Sequence, residues 1–263
     1  MISITRKISI VAAFLFTISN SFGQLSPPGL GKAKTASWAA FGVQHKLDST
    51  GNKYAVAYVG MGRKSSPDNY NPVDKPAILV LNYEIYNKFK PNQQYSYAIS
   101  YRRQNEFDSE APFHKEGIEQ EFRVYGRYAY TANLGKLKWK NTIRQEFRKF
   151  FDADFNEVDE NFQLRTRVKS QLTYPISDKN KQSLALSVEG LFATSYMNDV
   201  EKHWTKYAYK ETRLGLYYMF QIPNSPLTMD IGYVNNLIRN YSEVKSGVCI
   251  MLQWIWFGSF RRN

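Results

Sequence analysis

The sequence predicts an all-β fold: a closed antiparallel up-and-down transmembrane β-barrel of about 10–12 strands, with short periplasmic turns and longer outer loops. Three observations lead there. Apolar and polar residues alternate with a period of two through most of the chain, the mark of strands with one apolar and one polar face. Tight turns and longer polar connections succeed one another, as they do when hairpins cross a membrane with their short turns on one side. The first residues read as an export leader, and no later apolar run is long enough for a membrane-spanning helix.

The leader comes first. Arg6 and Lys7 supply a positive start, Ile8 to Ile18 an apolar run, and Ser21-Phe22-Gly23 the small residues of a cleavage site. An apolar stretch of about eleven residues is too short for a permanent anchor. We therefore set residues 1–23 aside as a signal peptide and take Gln24 as the mature N-terminus. Residues 24–34, with Pro27-Pro28-Gly29 and Gly31, read as an irregular lead-in, and residues 35–260 as the barrel. The single cysteine, Cys249, excludes an intramolecular disulfide and reads as a small packed residue.

The strands follow from the alternation. Leu79, Leu81, Tyr83 and Ile85 alternate with Asn82, Glu84 and Tyr86; Tyr95, Tyr97, Ile99 and Tyr101 alternate with Ser96, Ala98, Ser100 and Arg102. The clearest run interleaves Phe162, Leu164, Val168 and Leu172 with Gln163, Arg165, Arg167, Lys169 and Gln171. The spacing predicts strands over 35–47, 53–63, 77–89, 93–104, 118–132, 136–150, 161–175, 181–196, 206–220, 227–239 and 243–257. Asp48 to Asn52, Lys90-Pro91-Asn92, Asn133-Leu134-Gly135 and Ser177 to Asn180 carry tight-turn chemistry. Longer polar loops are expected near 64–76, 105–117, 151–160 and 197–205. Eleven strands is an odd count, whereas bacterial single-chain barrels have an even one. Either the lead-in crosses the membrane along or inside the barrel, or a strand is split or missed.

Burial cost decides which face is inside. In a membrane barrel the aliphatic face meets lipid and the charges line the interior, where they must pair because an unpaired buried charge costs several kcal/mol. The expected lumen network is Glu119, Glu121, Arg123 and Arg127, then Arg144, Glu146 and Arg148, then Arg165, Arg167 and Lys169, with Glu189, Glu211 and Arg213. Its basic surplus favours anions in any opening, although long side chains can fill a barrel of this size. Val168→Arg is expected to hinder folding into lipid, and Arg167→Gln to be milder if the interior retains water or another donor.

The formal charge is +12, and +10 once Arg6 and Lys7 are removed. The cations are spread among carboxylates and not gathered in a tail, so no nucleic-acid partner is expected. The expected partners are outer-membrane lipids and the phosphates of lipopolysaccharide, and the expected state is a monomer. Aromatic residues at strand ends, Tyr86, Phe89, Tyr95, Trp139, Phe150, Phe151, Tyr174, Trp204, Trp254 and Trp256, suit interfacial girdles.

Several segments resemble one family. They are Leu25 to Ala33, Ser37-Trp38 with Phe41-Gly42, and Gly60-Met61-Gly62-Arg63-Lys64 with Asp68-Asn69-Tyr70-Asn71-Pro72. Ser100 to Gln104 and Gln120-Glu121-Phe122-Arg123 with Tyr125-Gly126-Arg127 belong to the same pattern. Together they resemble the domain of unknown function 2490 family of small exported proteins, thought to be outer-membrane barrels. The resemblance implies location and fold and transfers no site. One departure is the C-terminus, where Phe260 is followed by Arg261-Arg262-Asn263 although many outer-membrane barrels end on an aromatic residue.

Motifs for chemistry are sparse. His45, His114 and His203 form no HExxH arrangement and there is no cysteine pair, so no zinc site is expected. The acidic loops Asp68 to Asn71 and Asp152, Asp154, Glu157, Asp159 and Glu160 offer oxygen ligands but no EF-hand spacing. No cofactor is expected. A lipid-active enzyme of the phospholipase or acyltransferase type would need a Ser–His pair at the outer rim, for which Ser195 and His203 are the candidates. The remaining alternative is a soluble periplasmic β-barrel that binds a small apolar ligand. The leading expectation is a non-enzymatic outer-membrane barrel, structural or narrowly anion-conducting.

Overall fold

The computed structural model describes residues 33–108, 110–178, 181–199, 201–223, 227–238 and 245–256, and of residues 227, 236, 238 and 245–256 it describes the backbone alone. The leader, most of the lead-in, the C-terminal tail, and the side chains of Cys249, Trp254 and Trp256 lie outside the described residues.

The chain forms an all-β, up-and-down sheet, with no helix among the described residues. Its strands are β1 (Thr35–Lys46), β2 (Lys53–Lys64), β3 (Lys75–Lys90), β4 (Gln93–Phe107), β5 (Lys115–Leu134), β6 (Leu137–Phe151), β7 (Glu157–Ser177), β8 (Gln182–Met197), β9 (His203–Trp204), β10 (Ala208–Gln221), β11 (Leu227–Ile238) and β12 (Lys245–Trp256). All eleven long strands match the predicted segments. The two-residue β9, which pairs through Tyr196 with Trp204 and Met197 with His203, was not anticipated, because two residues carry no period.

Neighbours in sequence pair antiparallel from β1 to β8; β10 pairs with β8 and β11, and β11 with β12. The exception is β12, which pairs in parallel with β1, Val248 opposite Thr35 and Trp256 opposite Val43. Each long strand therefore has two hydrogen-bonded neighbours. This accommodates the odd number of long strands. In an up-and-down order of eleven strands the first and last point the same way, so their ladder has to be parallel, a slightly weaker pairing per residue.

Turn chemistry sets the register. Asp48 Oδ2 accepts from Thr50 Oγ1 at 2.8 Å and from the Lys53 amide at 3.0 Å. Gly135, at φ +62°, closes the two-residue turn between β5 and β6, a conformation a side chain would resist. The expected contrast of short turns and long loops is weaker than the sequence suggests. The ladders of β5, β6 and β7 run on, so the β6–β7 connection shrinks to residues 152–156, no longer than the β1–β2 turn at 47–52. The longest connections, 65–74 and 198–207, do lie at the same end of the sheet as 152–156.

The 65–74 loop is docked, not loose. Ser65 Oγ accepts from the amides of Lys34 and Thr35, each at 3.1 Å, and Arg63 donates to the carbonyls of Val73 and Asp74 at 2.8 and 3.1 Å. Asp74 Oδ2 accepts from Ser66 Oγ at 2.9 Å and Asn69 Nδ2 at 3.1 Å. The donors beside it, Asn69 first and then Ser66, hold the Asp74 carboxyl below its usual value.

The two faces of the sheet have inverted burial. Ile99, Val124, Phe147 and Leu186 are 56–62% exposed, whereas Glu84, Glu121 and Glu146 are at most 1% exposed. An open apolar groove of 850 Å³ runs over the exposed face past Phe41, Val59, Leu81, Ile99, Val124 and Phe147. On the buried face, one cluster joins Ala36, Trp38, Ala40, Ala77, Ile78, Val80, Ala185 and Tyr217.

Two aromatic residues expected in the girdles belong instead to the buried face. Tyr86 stacks on Tyr54 with ring centroids 4.8 Å apart, and Phe150 is 4% exposed beneath the Arg148 guanidinium. Pleat parity puts both in line with Glu84 and Arg148, and a position near a strand end does not change parity. Phe89, Tyr95, Trp139, Tyr174 and Trp204 are exposed.

Candidate functional site: a buried ladder of ion pairs

Parity places Glu119, Glu121, Arg123, Arg127, Arg144, Glu146, Arg148, Arg165, Arg167, Lys169, Glu189, Glu211 and Arg213 on one face, the buried one. Ten of them join ion pairs.

Glu121 is the best-connected acid. Arg148 grips it with both oxygens engaged, Nε to Oε1 at 2.8 Å and Nη2 to Oε2 at 2.7 Å. Arg123 Nε lies 2.7 Å from Oε1 and Arg102 Nη1 3.4 Å from Oε2. Arg123 also reaches Glu146 at 3.7 Å, and Arg144 and Arg167 approach the same carboxylate at 2.7 and 3.4 Å. Arg167 then forms a two-pronged contact with Glu189, at 3.0 and 2.8 Å. Arg213 sits 4.0 Å from Glu189 and hydrogen-bonds Glu211. A continuous chain of opposite charges thus crosses β4, β5, β6, β7, β8 and β10. Planar guanidinium forks suit this work because one cation can face two carboxylates.

Arg167 bridges Glu146 and Glu189, and a buried carboxylate stranded by loss of its cation is costly.

Residues that the sequence reading left out complete the ladder. Glu84, 1% exposed, accepts from Ser96 Oγ at 2.5 Å and Tyr125 OH at 2.8 Å and lies 3.5 Å from Arg127. The Arg144 guanidinium lies 3.5 Å from the centre of the Tyr125 ring, within cation–π range. Glu84 and Arg102 were legible by parity, since each continues an alternation already recognised. Two network members stand apart from the ion pairs: Arg165 Nε donates to Gln163 at 2.9 Å, and Glu119 has no carboxylate–cation contact within 4 Å among the described residues.

The arrangement contains no catalytic pair at Ser195. Its hydroxyl donates to Glu160 at 2.5 Å and its amide to Thr205 Oγ1 at 2.9 Å. His203 is exposed, with Nδ1 2.6 Å from the Glu201 carbonyl and 3.9 Å from Asp199. Strand β9 sets His203 opposite Met197 instead of Ser195. The acidic loops use their carboxylates internally: Asp152 Oδ1 accepts from the amides of Asp154 and Asn156, both at 2.8 Å, and Glu157 pairs with Lys149 at 2.7 Å. Among the described residues no three His, Cys, Asp or Glu side chains gather as a metal site.

No curated protein matches the chain. A family model, protein of unknown function (DUF2490), matches residues 37–246. The matched span runs from the start of β1 into β12 and takes in the whole ladder, so the chain belongs to the DUF2490 family.

Proposed function

We propose that this protein is an outer-membrane β-barrel whose sheet closes through the β1–β12 ladder, with its aliphatic face in lipid and its ion-pair ladder inside. It acts as a structural barrel or a narrow, anion-preferring channel and not as an enzyme. The observation that carries this reading is the inverted burial: Glu121 and Glu146 are fully buried while Phe147, Val124 and Ile99 between them are more than half exposed. In water that arrangement leaves apolar surface uncovered on every strand whose side chains are described, far beyond the patches soluble monomers tolerate; in a bilayer it is the ordinary pattern. A soluble barrel for an apolar ligand would need the reverse assignment. The lipid-enzyme alternative has lost the Ser195–His203 pair on which it rested.

The interior is crowded with paired charges, so any conductance is expected to be small and to favour anions. Planar-bilayer recording tests this. A large, stable, cation-selective current would overturn the channel reading. Recovery of the protein from the soluble periplasmic fraction without detergent would overturn the barrel reading altogether.

A further inference from the structure

We propose that the short-turn mouth of the interior binds a multivalent oxyanion of the phosphate class through Lys88, Lys138 and Lys140, an inference that rests on the barrel reading above.

Charge is segregated along the strands. Around Glu84, Glu121, Glu146 and Glu189, acids and arginines interleave. From the level of Arg127 and Arg144 down to the short turns, the buried face of β3 to β7 changes character. It presents these three lysines beside Lys169, with Thr131 and Thr142 and no carboxylate. Register brings the groups together: Lys140 is opposite Thr131 on β5, and Thr142 opposite Lys169 on β7. Lys88 joins them on the same face of β3, past Tyr86.

These cations repel one another. Lys140 feels Arg127, Lys138 and Lys169, and Lys138 feels Lys88. None of Lys88, Lys138 and Lys140 lies within 4 Å of a carboxylate among the described residues. Glu84, the acid at the level above, is engaged by Ser96, Tyr125 and Arg127. Asp230, buried on the opposite wall of the same end, makes no ion pair with them. Half-buried ammonium groups on flexible stems, flanked by hydroxyl donors, suit a compact anion with several charges better than chloride. The mouth opens to the short-turn side, so the ligand is a soluble oxyanion and not a lipid headgroup.

The probe is pyrophosphate, titrated calorimetrically into the full mature chain folded in phospholipid-free detergent micelles. Folding is verified first by circular dichroism and by heat-dependent gel mobility. One saturable site is expected, and Lys138→Gln with Lys140→Gln should weaken it by about tenfold or more; Lys206→Gln, at the opposite end, should leave it unchanged. Lys140→Gln should also raise the melting temperature of the anion-free protein while reducing the rise that pyrophosphate produces, because repulsion is relieved. Equal affinity in wild type and double variant, or no saturable binding by folded protein, would overturn the site. Binding of short-chain phosphatidic acid in place of pyrophosphate would assign it to lipid phosphate and overturn the soluble ligand. Failure of the chain to fold in detergent would instead bring down the barrel reading, and this site with it.

Discussion

On the buried face of β5 to β8, Glu121, Glu146 and Glu189 stand among arginines of their own and neighbouring strands. On the same face of β1 to β3 and of β10 and β11, the space is filled by rings lying on glycines. A Cβ at Gly60 would come within 2.2 Å of the Trp38 ring, and one at Gly232 within 2.2 Å of Tyr217. The first wall derives its order from electrostatics between buried charges, the second from shape. The difference teaches that the two walls fail differently. A missing partner strands a charge on one side, and a single added methyl displaces a ring on the other.

Glu121→Gln should have the largest effect. It leaves Arg102, Arg123 and Arg148 around a neutral amide, and breaking a buried ionic set by removing one member costs about 3–5 kcal/mol. Denaturant unfolding in micelles measures it; a loss below about 1 kcal/mol, the range of exposed pairs, would show that water reaches the ladder. Arg167→Gln should behave in the same way.

Val168→Arg examines the outer face at the level of the ladder, since Val168 is 48% exposed beside Arg167. Near the midplane it should cost about 2–4 kcal/mol of folding into lipid, and it should be tolerated in a water-exposed sheet. Gly60→Ala addresses the shape-built wall and should cost about 1–3 kcal/mol through displacement of Trp38. The same change at Gly126, where a Cβ would meet nothing closer than 4.0 Å, should be close to neutral.

The smallest effect concerns the docked 65–74 loop. Asp74 is held below its usual value in the folded protein. Its contribution is therefore complete above the unfolded carboxylate value of 3.8 and is lost as pH falls through the lower, folded one. Proteolysis at the loop should rise in that acid range and not between pH 5 and 8, and Asp74→Asn should flatten the response.

How much of this was legible follows from the pleat. Period two says which residues share a face, so Val168 and Arg167 were separable without coordinates. It does not say who meets whom across strands. Glu121 and Arg148 are 27 residues apart, and their contact depends on the register fixed by the turn at Gly135. Glu84 stands outside the expected network because the buried face of β3 begins with Ile78 and Val80 and turns polar only afterwards. Nothing local in the sequence marks Gly60 as the seat of the Trp38 ring. The parallel β1–β12 ladder is a property of strand number and not of any residue, which is why the odd count looked like an error.

The account's central claim is that the exposed aliphatic face lies in lipid. It is tested most directly by attaching an environment-sensitive fluorophore to single cysteines placed at Ile99, Ile143 and Val188, all exposed on that face, after replacing Cys249 with serine. The protein is then folded into bilayers that carry a quencher on the acyl chains. The account predicts blue-shifted emission and strong quenching at all three sites, deepest where the strands cross the bilayer centre. Water-like emission and no quenching at these positions in folded protein would contradict it.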